Sequence, residues 1–141
     1  MITNADITVF NRRYDAEERT ERFYPSRIKG VSFYKRRGTS VQNQELSSAD
    51  VFTVRIPIDA DMDGKTYIEA KAYEALSDEE IAGYWTLQTG ALIVKGLVDG
   101  DEPIPEVDLE QTYSDVIRIV NFTDNTDRAT DASKHWRVGG V

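Results

Sequence analysis

The chain of 141 residues contains no cysteine. That excludes disulfides, thiolate metal sites and cysteine nucleophiles. It contains one histidine, His135, which leaves the usual histidine-dependent catalytic sets nearly out of reach. No apolar run approaches the about 18 residues that a membrane-spanning helix needs. The opening Met1-Ile2-Thr3-Asn4-Ala5-Asp6 has no basic region followed by an apolar stretch, so no signal peptide is expected. No glycine-rich phosphate loop occurs. Proline is scarce, at 4 residues, and aromatics make up 10%, a composition that packs a core and does not stay disordered. Basic residues are outnumbered, 17 against 25 acidic, for a net charge of −8. Such a balance argues against a general nucleic-acid binder. The expectation is one domain over residues 1–141, made and used in a reducing cytoplasm. It is expected to have no membrane segment, no cofactor and no enzymatic activity.

The charge is unevenly spread. Residues 1–70 are neutral overall, and residues 71–141 carry all of the −8. Within the first half, residues 11–37 are net +5. This is either an ordinary solvated surface or the mark of a subunit whose two faces meet unlike neighbours.

Apolar alternation marks the strands. Residues 7–10 alternate, as do residues 27–34, where Gly30 suggests a bulge or sharp coil. The cleanest strand runs over residues 50–58: Phe52, Val54, Ile56 and Ile58 share one face, with Thr53 and Arg55 on the other. Pro57 makes its end an edge or a last rung. Residues 84–87, 92–95 and 116–122 read as further strands, and residues 135–141 as a final short one with a glycine tail. Residues 11–21 read as a hairpin or extended excursion, 35–38 as a basic turn, and 59–65 and 99–108 as acidic loops. A short helix is expected over residues 71–76, and Ser77 with Glu80 forms a capping-box pattern. No helix of ten or more residues recurs between strands, which excludes a parallel α/β fold. The fold class is mainly β: a small antiparallel barrel or sandwich with one or two short helices and long loops.

Asp59-x-Asp61-x-Asp63-Gly64 fits the first half of a calcium loop, with oxygen ligands at positions 1, 3 and 5 and glycine at 6. The fit then fails, because position 12 is Ala70 where a bidentate Glu is needed. Asp59, Asp61 and Asp63 therefore stand as candidate metal ligands beside the reading of an acidic turn closed by Asp63-Gly64. The consecutive acids Asp78, Glu79 and Glu80 are explained by the positive end of a helix dipole. The functional candidates by composition are basic and aromatic residues that suit a protein interface: Arg12, Arg13, Phe33, Tyr34, Lys35, Arg36 and Arg37. Arg27 and Lys29 lie in the same stretch. Trp136 is either core or interface.

Several segments occur in a recognisable order: Ile7-Thr8-Val9-Phe10-Asn11-Arg12, Ile28-Lys29-Gly30-Val31-Ser32-Phe33-Tyr34, Ser48-Ala49-Asp50 through Val54-Arg55-Ile56-Pro57, and Gly64-Lys65-Thr66-Tyr67-Ile68. Gly83-Tyr84-Trp85-Thr86-Leu87-Gln88-Thr89-Gly90 and Val94-Lys95-Gly96 follow. Over residues 5–125 the chain resembles a family of tailed-bacteriophage and prophage minor capsid or head–tail joining proteins. The resemblance implies a neck component of head-closure type. Such a component is a small β-barrel subunit of a homo-oligomeric ring between the portal or adaptor and the tail. The ring holds packaged DNA in the head without sequence-specific binding, and it offers the tail a docking surface. The strands above would build the barrel, and the loops at residues 35–48, 59–65 and 99–108 would serve for contact or gating. The implied location is the virion neck, after synthesis in the bacterial host cytoplasm. A tail-terminator or tail-completion ring is the alternative, and a calcium-stabilised binding module the more remote one.

Overall fold

A computed structural model describes residues 3–39, 48–113, 116–127 and 134–141, with side chains at 36–39 and 48–50 excepted. The fold is mainly β. Its strands are β1 (Ala5–Asp15), β2 (Thr20–Thr39), β3 (Ser48–Pro57), β4 (Thr66–Tyr67), β5 (Tyr84–Trp85), β6 (Leu92–Lys95), β7 (Val116–Asn125) and β8 (His135–Gly140). Two short helices, α1 (Ala70–Glu74) and α2 (Glu106–Thr112), and a 3-10 turn at Glu80–Gly83 complete it.

Six strands pair in the order β1–β2–β3–β8–β7–β6, all antiparallel, and β6 pairs back onto β1, so the ladder closes into a barrel. Two ladders make up its walls. The first holds β1, the first half of β2, β6 and the start of β7. The second holds the rest of β2, β3, β8 and the rest of β7. The two long strands pass from one wall to the other, and each is irregular where it does so. In β2 the register slips at Gly30, which takes φ 80°, so Ala5 faces Val31 while Asp6 faces Lys29. The extra residue turns the strand, as a bulge does. In β7 the slip falls between Ile119 and Asn121.

The core follows from the alternation. Ile7, Val9, Ile28, Val54, Ile56, Ile93, Ile117 and Val138 point into the barrel around Trp85. A second apolar cluster lies outside the first wall, where Phe10, Phe23, Leu92 and Val94 pack under Leu109 of α2. The first wall is thus covered on both faces. Gly140 allows β8 to close against β7: a Cβ there would meet Ile117 Cγ2 at 2.3 Å and the Arg118 carbonyl oxygen at 2.9 Å.

Several expectations are corrected. Residues 35–38 are not a turn; they continue β2 and pair with β3. Residues 84–87 are not a barrel strand. Only Tyr84 and Trp85 pair, in parallel, with β4. Residues 99–108 are not loop throughout, because α2 begins at Glu106. Residues 11–21 are the outer ends of β1 and β2 around a turn at 16–19. The capping box is present, with Glu80 N–H donating to Ser77 Oγ and Ser77 N–H to the Glu80 carboxylate, both at 3.2 Å. Pro57 is the last rung of β3, opposite His135.

Candidate functional site

Among the described side chains, four arginines of the +5 stretch are taken up in ion pairs and not in a basic patch. They are met by carboxylates: Arg12 by Glu21, Arg13 by Asp78, Arg22 by Asp15 and Glu18, and Arg27 by Asp63 and Asp101. Antiparallel pairing of β1 with β2 supplies the carboxylates for Arg12 and Arg22, and loops at Asp63, Asp78 and Asp101 supply those for Arg13 and Arg27. Arg13 is bound further. Its guanidinium donates to the carbonyls of Tyr73 (2.8 Å) and Leu76 (2.7 Å) and pins the end of α1 to β1. Cations commonly satisfy helix C-terminal carbonyls in this way. Arg13 is therefore an internal clamp.

Phe33 and Trp136 are both buried, which for Trp136 is the core placement. Phe33 meets Phe52 at 5.7 Å and Trp136 meets Tyr67 at 4.5 Å with tilted rings, and Trp136 meets Trp85 edge-on at 5.6 Å. Lys35 lies over the Phe52 ring at the barrel mouth. Arg36 and Arg37 belong to β2 by their backbone, and their side chains lie outside the described residues, as do residues 40–47 of the expected contact loop.

Asp59, Asp61 and Asp63 do not converge. Asp61 Oδ1 accepts the Asp63 N–H, closing the turn, and the Asp63 carboxylate turns to Arg27. Among the described residues no group of three or more metal-ligating side chains forms.

A cleft of about 440 Å3 opens beside that turn, lined by Tyr24, Arg27, Lys65, Tyr73, Asp78 and Asp101 among others. Its cations are committed to protein acceptors. Arg27 donates to the carbonyls of Val98 (3.0 Å) and Gly100 (2.8 Å) as well as to its two carboxylates. Lys65 donates to the Pro25 carbonyl at 2.8 Å and to Ser26 Oγ at 3.1 Å. Burial lowers the Lys65 amine below the usual lysine range and raises the Tyr73 hydroxyl above the usual tyrosine range. These bonds clamp residues 61–65 and 98–101 onto β2.

The Arg27 hydrogen bond holds the Asp101 carboxyl below its usual range. The unfolded chain lacks that partner. The contribution of Asp101 is therefore complete above about pH 4 and is lost as pH falls through the lower folded value. Both partners reach solvent, so the effect is small. Urea midpoints of wild type and Asp101→Asn should differ at about pH 7 and coincide at about pH 2. A gap unchanged across that range is the contrary result.

The feature left without an internal role is the outer face of the second wall. Tyr34, Val51, Thr53, Arg55, Arg137 and Asn121 stand on it by register. Tyr34 is 48% exposed and Val51 39%, and Arg55 and Arg137 are both exposed. Among the described residues no apolar cluster covers this face, whereas α2 covers the outer face of the first wall. Arg55 and Arg137 are direct cross-strand partners and belong to no ion pair among the described residues. Like charges directly opposite each other destabilise a sheet, and among the described residues no carboxylate stands at the neighbouring positions of this face to relieve them.

Of the residues expected at an interface, Tyr34 is on this face and Arg12 lies apart from it. Arg55 and Arg137 are the residues that sequence reasoning missed. They stand 82 positions apart, and only the β3–β8 register brings them together. Their one sequence signal was the outward parity of Arg55 in its strand.

Fold and site define a small mainly-β domain with one wall covered by helix and the other, among the described residues, uncovered and basic. The chain belongs to the family described as a family of unknown function (DUF6751), whose model matches residues 2–141. No curated protein and no solved structure matches the chain.

Proposed function

We propose that this protein is a structural subunit of the tailed-phage neck. In this reading it forms a ring between portal or adaptor and tail that closes the head, retains DNA and docks the tail. The supporting observation is the second wall, uncovered among the described residues, with its opposed arginines, a surface that costs stability in an isolated subunit and loses that cost against an anionic protein face. The β2–β3 hairpin adds to this. Arg36–Thr39 of β2 and Ser48–Val51 of β3 pair only with each other, beyond the last β8 rung at Phe52, so they extend from the wall as a two-stranded arm. The resemblance to head–tail joining proteins points the same way.

The test is an image reconstruction of the intact particle, with this chain located by an internal tag. The expected result is a ring between portal and tail, and heads that lose their DNA when the chain is removed. A ring at the end of the tail tube assigns the protein to tail completion instead. Absence of the chain from the particle overturns the reading altogether.

A further inference from the structure

The molecule has a second exposed feature on its opposite side. Helix α2 lies outside the first wall, while the bare face lies outside the second, and the main core separates the two. Leu109 is the buried side of α2. Its exposed side carries Val107, Asp108, Glu110 and Gln111, and Val107 is 56% exposed. Asp108 belongs to no ion pair among the described residues, and Glu110 is only 3.9 Å from Arg118, which already holds Glu106. The two surfaces match in chemistry. One is an apolar residue beside two carboxylates. The other is two arginines beside Tyr34 and Val51.

We infer that the Arg55–Arg137 face of one copy takes the exposed side of α2 from a second copy. The partner is thus this chain itself. The carboxylates of α2 would relieve the like-charge pair, and Val107 would meet Tyr34 and Val51. Charge complementarity of this kind fixes orientation as well as affinity. Because the two patches lie on opposite sides, the contact is heterologous. Each copy uses both patches, and repetition builds a ring where the rotation closes and a filament where it does not. This contact deepens the neck reading and rests on it for its biological setting.

Charge exchange tests the contact in the full chain by sedimentation. Wild type should self-associate, and more weakly as salt rises from about 0.05 M to about 0.5 M. Arg55→Glu with Arg137→Glu should weaken association by about tenfold or more, because both contacting patches are then acidic. Asp108→Lys with Glu110→Lys should do the same, because both are then basic. Mixed in equal amounts, the two variants should associate again, since each patch then finds its opposite on the other variant. All four positions are exposed, so each variant should keep the wild-type Tm to within a few degrees. A monomeric wild type at about 1 mM overturns the contact, as do variants that associate like wild type or a mixture that stays apart. An unlike protein over Arg55 and Arg137 in the particle also overturns it and leaves the neck reading intact. Restored association by a chain that is absent from the particle keeps the contact and removes the neck reading.

Discussion

Trp85→Ala is expected to remove about 4 kcal/mol of stability, the range for deleting a fully buried large aromatic. Trp85 is completely buried at the centre of the barrel core. Its ring meets Tyr67 edge-on at 5.1 Å and Trp136 at 5.6 Å, and its indole N–H points at Met62 Sδ at 3.2 Å. Alanine leaves a cavity that touches both β4 and β8, and neither can collapse into it without breaking its own pairing. A domain of this size holds about 5–15 kcal/mol in all, so the variant should melt at least about 10 °C lower. Trp85→Phe should lose far less, because it keeps a ring in place and gives up mainly the indole contact. Urea midpoints and thermal melts of the three proteins measure this. A loss below about 1 kcal/mol for alanine would show that the centre of the core lies elsewhere.

Asn11→Ala is expected to cost about 3 kcal/mol for a different reason. Asn11 is fully buried, and its amide pairs with the backbone of Thr86, donating to the carbonyl at 2.6 Å and accepting the N–H at 3.1 Å. Gln88 returns the arrangement by pairing its own amide with the N–H and carbonyl of Arg12 at 2.9 and 3.1 Å. Two side chains thus act as a strand ladder between β1 and residues 86–88. Alanine leaves the N–H and carbonyl of Thr86 without that partner in a dry interior, at about 1–3 kcal/mol each. Asn11→Asp should be worse than alanine, because it sets a carboxylate oxygen against the Thr86 carbonyl. The check is a urea titration of all three proteins. Equal stability of the aspartate variant and wild type refutes the assignment of donor and acceptor.

These two residues show where sequence reasoning reached its limit. Trp85 was legible as part of an apolar stretch, and its strand assignment was half right. Asn11 read as the start of a polar excursion, because an amide that completes a ladder looks like any other polar residue until its partner is known. A third amide, Asn4, does the same for Phe33, bonding its N–H at 2.8 Å and its carbonyl at 3.1 Å. The basic stretch misled in the opposite way. Nine cations in 27 residues suggested a patch, but the hairpin register set carboxylates against Arg12 and Arg22, and distant loops set others against Arg13 and Arg27. The exposed arginine pair came instead from two strands far apart in the chain.

Alternation in the sequence was enough to locate part of each of the six barrel strands, though not the outer lengths of β1 and β2, and to show which residues face inward, as in Val54 and Ile56 against Thr53 and Arg55. The sequence also determined the Gly30 bulge, the Ser77–Glu80 cap and the turn at Asp63-Gly64, which takes φ 58° and 74°. All of these depend on residues within a few positions of one another, so local sterics and alternation suffice. Tertiary structure alone decided which wall α2 covers, which carboxylate meets which arginine, and that Arg55 faces Arg137. These depend on register between segments tens of residues apart. Register is set by burying the whole apolar set at once, and no short window of sequence contains it.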